Sequence, residues 1–148
     1  TYTPELVEGF ARRASVLPGG IAARQHGLRG ASEEAALAFP VLFETALPAL
    51  RGVLARGLTP SQARLDTLFH IVAMLDDSNL AHRGGLAGLR WAQRTARAFL
   101  DRGGIARPDG LREAQAIADE FVRRRLSPGG AADTLAAACW TARVCPTP

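Results

Sequence analysis

With 148 residues, 47% of them hydrophobic and 22% charged, the chain can bury a core as one domain without disulfide or metal staples, and it is too apolar to be disordered. Its net charge of +4 is carried entirely by arginine, since lysine is absent, and it is spread too evenly for a nucleic-acid footprint. No stretch of about 20 residues is free of charge, so neither nucleic acid nor a membrane is an expected partner.

Strand-forming residues are scarce, while alanine, leucine and arginine dominate. The expectation is an all-α fold: a compact bundle of about five to seven helices in a single domain over residues 1–148. Cys139 and Cys145 lack metal-ligand spacing and suit a reducing cytoplasm, the expected location. The start, Thr1-Tyr2-Thr3-Pro4, has no signal pattern and no Met, and reads as processed or truncated.

In chain order, Thr3 before Pro4 and Glu5 marks a helix to about residue 15, with 16–20 as a break and the glycine-punctuated 24–32 as loop. Helical spacing resumes over 33–55, where Pro40 and Pro48 either kink one helix or Pro40 opens a second. Gly57 ends that segment, and Thr59-Pro60 caps the next, running to about Leu75. Residues 76–85 read as a polar connection. Residues 86–102 form an amphipathic helix with Leu89, Ala92, Ala96, Phe99 and Leu100 on one face and Arg90, Arg94 and Arg97 toward the other. Gly103-Gly104 stops it. A helix over 109–125 turns Ile117 and Phe121 inward, and Ser127-Pro128 starts the last, alanine-rich helix, to about Trp140.

Two segments carry candidate chemistry. Over 76–85, two carboxylates, an amide, an imidazole and a guanidinium lie between two apolar helices, ending in Gly84-Gly85. A solvated turn is the plain alternative. Against it, the connection is longer than such a turn needs, and glycines before a helix expose N–H groups that bind anions. Asp77 and Asn79 also supply oxygens of the kind magnesium accepts beside phosphates. In the second segment, Ser127 reads as N-cap, followed by Pro128, Gly129 and Gly130. Glycines in a first turn cost roughly 1 kcal/mol each relative to alanine, which close approach of a ligand or of another backbone would explain. Asp133 follows about one turn later. Arg123, Arg124 and Arg125 read as a solvated face, Asp66 as a structural acid, and His70 as a core histidine.

At these segments the chain resembles the triphosphoribosyl-dephospho-coenzyme A synthases. That family carries Asp-Thr-Asn, then Arg-Gly-Gly, then Gly-Leu and an aromatic residue; here these are Asp77-Ser78-Asn79, Arg83-Gly84-Gly85, Gly88-Leu89 and Trp91. Its later Leu-Ser-Pro-Gly-Gly-x-Ala-Asp matches residues 126–133, and Leu65-Asp66-Thr67-Leu68 fits a further run. Upstream, Glu34 matches a Gly-Ala-Arg-Gly-Glu-Ala motif that precedes a Gly-aromatic-Pro; the arginine and one glycine of the first and the glycine of the second are lacking. The family's Pro-Lys-Pro-Gly and Asn-Thr-His-Lys-Gly motifs are also lacking, so the chain reads as the C-terminal part of a longer family member.

The resemblance implies transfer of a triphosphoribosyl group from ATP to 3′-dephospho-coenzyme A, releasing adenine, with Mg²⁺ as cofactor. It makes the product the prosthetic-group precursor of citrate lyase or malonate decarboxylase. The catalytic candidates it implies are Asp77, Asp133 and Glu34, with Asp77 and Asp133 also the metal ligands. Asn79, Arg83, Gly84, Gly85, Ser127, Gly129 and Gly130 would hold the nucleotide and its phosphates. The alternative is a non-catalytic helical fragment, or a half that works only with its missing N-terminal partner or as a homo-oligomer.

Overall fold

A computed structural model describes residues 18–29 and 31–145, and the helix expected over 4–15 lies outside them. Among the described residues every regular element is helical. The first, α1 (Pro18–His26), occupies residues expected to be break and loop. Pro18 fits the first turn, where its missing N–H would have had no partner. Gly27 ends the helix at φ 60°, and Leu28 N–H reaches back to Ala23 O at 2.8 Å, burying Leu28.

α2 (Ala31–Ala36) closes through Ala38 and Phe39, both at positive φ (63° and 55°) despite their side chains, with Phe39 N–H on Glu34 O at 2.7 Å. Pro40 then opens a new segment, the second of the two proline readings. That segment begins as a π-helical stretch (Val41–Ala46) and continues as α3 (Leu47–Ala55), with Pro48 in the first turn of α3. Gly57, at φ 85°, terminates it.

α4 (Pro60–Met74) starts as the sequence indicates. Thr59 Oγ1 accepts the Gln62 N–H and Gln62 Oε1 accepts the Thr59 N–H, a reciprocal capping box. The largest departure is α5 (Ser78–Asp101), which begins at Ser78 with Asp77 as N-cap and takes in most of the expected connection. It breaks only at Gly85 (φ 63°, ψ −172°), a conformation open to glycine alone. Past that point the amphipathic reading holds: Leu89, Ala92, Ala96 and Phe99 are buried, and Phe99 stacks near Phe69 of α4. Gly103 and Gly104, both at positive φ, turn the chain through a 3-10 turn (Gly104–Ala106) into α6 (Gly110–Arg123). Ile117 and Phe121 lean on the core from α6.

α7 (Gly129–Val144) packs against α4, α3 and the π-helical stretch. One core unites α1, α4, α5 and α7 through Ala23, Ile71, Leu80, Leu89, Phe99 and Ala138. A smaller cluster of Leu50, Val53 and Ala63 joins α3 to α4. No helix among the described residues is long and apolar enough to cross a membrane. Exposed Arg123 and Arg124 pair with Glu120, and Arg124 also lies 4.3 Å over the Trp91 ring, so that run is a surface face as expected.

Candidate active site

The centre of the site is Asp77, only 1% exposed, whose carboxylate caps two helices at once. One oxygen, Oδ1, accepts the N–H groups of Asn79 (2.9 Å) and Leu80 (3.4 Å) at the start of α5. Oδ2 accepts the Ala131 N–H (2.9 Å) at the start of α7, 54 residues away. Ser127, the N-cap expected for α7, makes no such bond; the cap comes from Asp77 instead. Burial pushes the Asp77 carboxyl above its ordinary range, opposed by the amides of Ala131, Asn79, Leu80 and Gly130, which favour its charged form.

This contact explains the glycines of α7. A Cβ on Gly130 would lie 3.2 Å from the Asp77 carboxylate carbon, and one on Gly129 would lie 2.6 Å from Asn79 Nδ2. Of the two explanations open to the sequence, close approach of another chain segment accounts for both. At the start of α7 the amides of Gly130 and Ala131 face the protein's own anion, because a carboxylate already sits where a phosphate would.

Beside Asp77 opens a cavity of about 240 Å³. Glu34, Asp76, Asp77 and Asp133 bring carboxylates to it, with Gly130 and Thr134 from α7 and Phe39 and Leu42 at its apolar side. It is smaller than the ~300–1,000 Å³ typical of ligand pockets, so it suits one part of a nucleotide, such as a ribose. Buried Glu34 accepts the Val41 N–H at 3.3 Å, and Arg29 Nε stands 2.8 Å from its other oxygen as an ion pair, off the direction of a hydrogen bond. Arg29 thus brings a guanidinium to Glu34 from outside the motif that lacked its arginine. Asp133 is exposed and has no hydrogen bond or ion pair among the described residues.

Asp76 is the functional candidate passed over in the sequence. Its Oδ1 accepts Arg90 Nη1 and Gln93 Nε2, each at 3.2 Å. Gln93, 2% exposed, also donates to Leu75 O at 3.0 Å and accepts Arg90 at 2.7 Å. The signal was legible: Gln93 is an amide in the apolar stripe between Leu89 and Ala96. Arg90, expected on the solvent face, folds back to Asp76, and Arg97 likewise donates to Ala73 O at 2.8 Å.

The remaining candidates do not gather here. Ser127 lies on an apolar groove of about 260 Å³ between α4 and α6, with Leu65, Phe69, Ile117 and Phe121. Gly84 and Gly85 do precede a helix as expected, since the backbone leaves the helical region at Gly85 and resumes at Leu86, but a helical stretch from Ser78 already leads into them. Gly84 faces Leu126, so packing explains it, while Gly85 lines a third cavity. Exposed Arg83 has no partner among the described residues. Residues 76–79 and 129–133 thus come together beside Asp77, whereas Gly85 lines a different cavity from Gly130.

Magnesium takes about six oxygens, commonly one or two carboxylates completed by phosphates and waters. Among the described residues no three His, Cys, Asp or Glu side chains group to hold a metal. Asp77 does not fit as a ligand, because its oxygens serve the two helix entrances. Asp133 fits a cation that arrives on a polyphosphate. Elsewhere, Asp66 accepts the Ile105 N–H at 2.9 Å and lies 3.6 Å from His70 Nε2, a structural acid as expected. His70 is partly exposed at the surface instead of being enclosed in the core.

The sequence model of the CitG family, ATP:dephospho-CoA triphosphoribosyl transferase, matches residues 5–146. The chain belongs to this family. It is accordingly a transferase of prosthetic-group biosynthesis, with ATP and dephospho-CoA as the substrates that the family's activity implies. No solved structure matches the chain.

Proposed function

We propose that the carboxylate cavity beside Asp77 is where the ribose of ATP is transferred, in a reaction feeding the acyl-carrier prosthetic group of citrate lyase or malonate decarboxylase. The 2′-hydroxyl oxygen of dephospho-CoA bonds to C1 of the ribose as the bond from C1 to adenine breaks. Adenine leaves with the bonding pair and takes up a proton, while the hydroxyl proton passes to a carboxylate.

The observation that carries this reading is the meeting of Asp76 and Asp133, from different helix entrances, on one small cavity. An oxocarbenium-like ribose is stabilised by carboxylate placed where positive charge develops. Asp76, held by Gln93 and Arg90, is suited to that electrostatic task because its position is fixed. Asp133, open and unpaired, is suited to accept the hydroxyl proton or to hold magnesium carried in with the triphosphate, which bound there would neutralise phosphate charge. Asp77 is a positioning residue: it fixes both entrances, and with them the other two acids.

The test is adenine release from ATP plus dephospho-CoA. Removing a general base typically costs about 10²–10⁴-fold, so Asp133→Asn should lower kcat by at least about 100-fold with unchanged unfolding. Full turnover by that variant would remove Asp133 from the chemistry.

A further inference from the structure

The cavity that Gly85 lines, about 480 Å³, lies between α1 and the first two turns of α5. Its chemistry is the reverse of that of the cavity beside Asp77. Pro18, Ile21, Ala22 and Ala81 supply its walls; Gln25, His26 and His82 supply its polar groups; and no carboxylate among the described residues lines it. Imidazole N–H and amide NH₂ groups donate hydrogen bonds, and Arg83 follows His82 in the chain without a partner among the described residues. Gly85 adds its backbone: nothing stands within 4 Å of where its Cβ would be, so the peptide opens onto the space.

The two cavities share a stripe of one helix. Ser78, His82 and Gly85 fall at i, i+4 and i+7, with Ser78 at the carboxylate cavity and the other two at the second. One turn, about 6 Å for four residues, separates Ser78 from His82 along the axis. α1 crosses this stripe at its narrowest residue, Gly19, where a Cβ would come within 2.9 Å of Ser78 Oγ. A ligand with an uncharged ring at one end and an extended anion at the other matches that layout.

From this we propose that the His26–His82 cavity is a phosphoanhydride subsite, taking the anionic chain of a nucleotide substrate whose ribose occupies the carboxylate cavity. The inference rests on the triphosphoribosyl-transfer reading. It also supplies what the helix entrances at Asp77 do not: donors still free for phosphate. Two sources have this chemistry, the triphosphate of ATP and the diphosphate of dephospho-CoA.

The experiment compares the wild-type chain with His26→Ala/His82→Ala, two exposed positions, and checks that the unfolding midpoint is unchanged. Losing charge-assisted or neutral hydrogen bonds to phosphate should raise the KM for one substrate by about tenfold or more while kcat stays within about twofold. A rise for ATP assigns the triphosphate and a rise for dephospho-CoA the diphosphate; unchanged KM for both overturns the proposal. Titration with inorganic tripolyphosphate separates this from the transfer reading. If the wild type releases no adenine, the transfer reading falls, yet weaker tripolyphosphate binding by the variant still upholds the subsite. Equal binding by both chains, or none by the wild type, overturns it. Should the double variant unfold, His82→Asn, which keeps a donor, is compared with His82→Ala: recovered binding supports the subsite, and equal binding by the two counts against it.

Discussion

Asp66 and Asp77 lie eleven positions apart in sequence, and each accepts backbone N–H bonds from a distant segment, yet folding moves their acidities in opposite directions. At Asp77 burial wins over the backbone amides of Ala131, Asn79, Leu80 and Gly130, the partners that favour its charge among the described residues. At Asp66 burial also opposes the charge, but the His70 hydrogen bond, the Ile105 amide and the charges of His70 and Arg56 outweigh it, holding the carboxyl below its ordinary range. The difference teaches that a buried acid is made comfortable by a counter-charge more than by amides alone. Asp66 ties down a 3-10 turn at modest strain, whereas Asp77 is an expensive charge kept for geometry.

The severest challenge to this contrast is Asp77→Ala. Three amides at two helix entrances would lose their acceptor, and at ~1–3 kcal/mol per unsatisfied buried donor the loss should be about 4 kcal/mol by urea unfolding. A loss below about 1 kcal/mol would mean that water replaces the carboxylate and the clamp is idle. Asp66→Ala removes one buried amide bond and a partly exposed imidazole contact, so it should cost about 2 kcal/mol.

The opposite shifts also predict opposite pH behaviour. The Asp66 folded value lies below the ordinary 3.8, so the stability it confers is present above that value and is lost as pH falls through the folded one. The Asp77 folded value lies above 3.8, so its linked contribution is present at lower pH and is lost as pH rises through the folded one. From about pH 3 to about pH 6, the stability gap between wild type and Asp66→Asn should widen, while that between wild type and Asp77→Asn narrows. Both gaps moving the same way would erase the distinction.

Smaller effects sharpen it further. Gly130→Ala would press a Cβ against a carboxylate pinned by three bonds, and should cost about 1 kcal/mol despite the gain in helix propensity. Gly129→Ala meets only the end of the exposed Asn79 side chain, which can turn aside, so its stability should stay within about 0.5 kcal/mol of wild type. Glu113→Gln should also be small. Its two arginine partners, Arg102 and Arg107, hold its carboxyl below the ordinary range, but in water such pairs contribute under about 1 kcal/mol.

Local rules carried much of the fold into the sequence. The Thr59/Gln62 box, the stop at Gly57, the Gly103-Gly104 turn and the α5 apolar face all follow from residues within a few positions of one another. What could not be read there depended on distance along the chain. Residues 76–85 read as a loop because they are polar and end in a glycine pair; that Asp77 caps a second helix as well as α5 depends on residue 131. The glycines of α7 signalled close approach correctly, but whether ligand or protein came close was a tertiary fact. The role of Asp76 is set by Arg90 and Gln93, which lie 14 and 17 residues on. The departure at the end of α2 has a local cause of another kind: Ala38 and Phe39 accept a left-handed turn normally left to glycine, so no glycine marks that boundary.

Asp77 has one further consequence. Vacant helix beginnings collect sulfate and orthophosphate from solution, which makes them sensitive to ambient salts. Here the resident carboxylate occupies that berth from the moment α7 docks. A free inorganic anion therefore meets a carboxylate at the beginnings of α5 and α7, where it would otherwise have met open N–H groups.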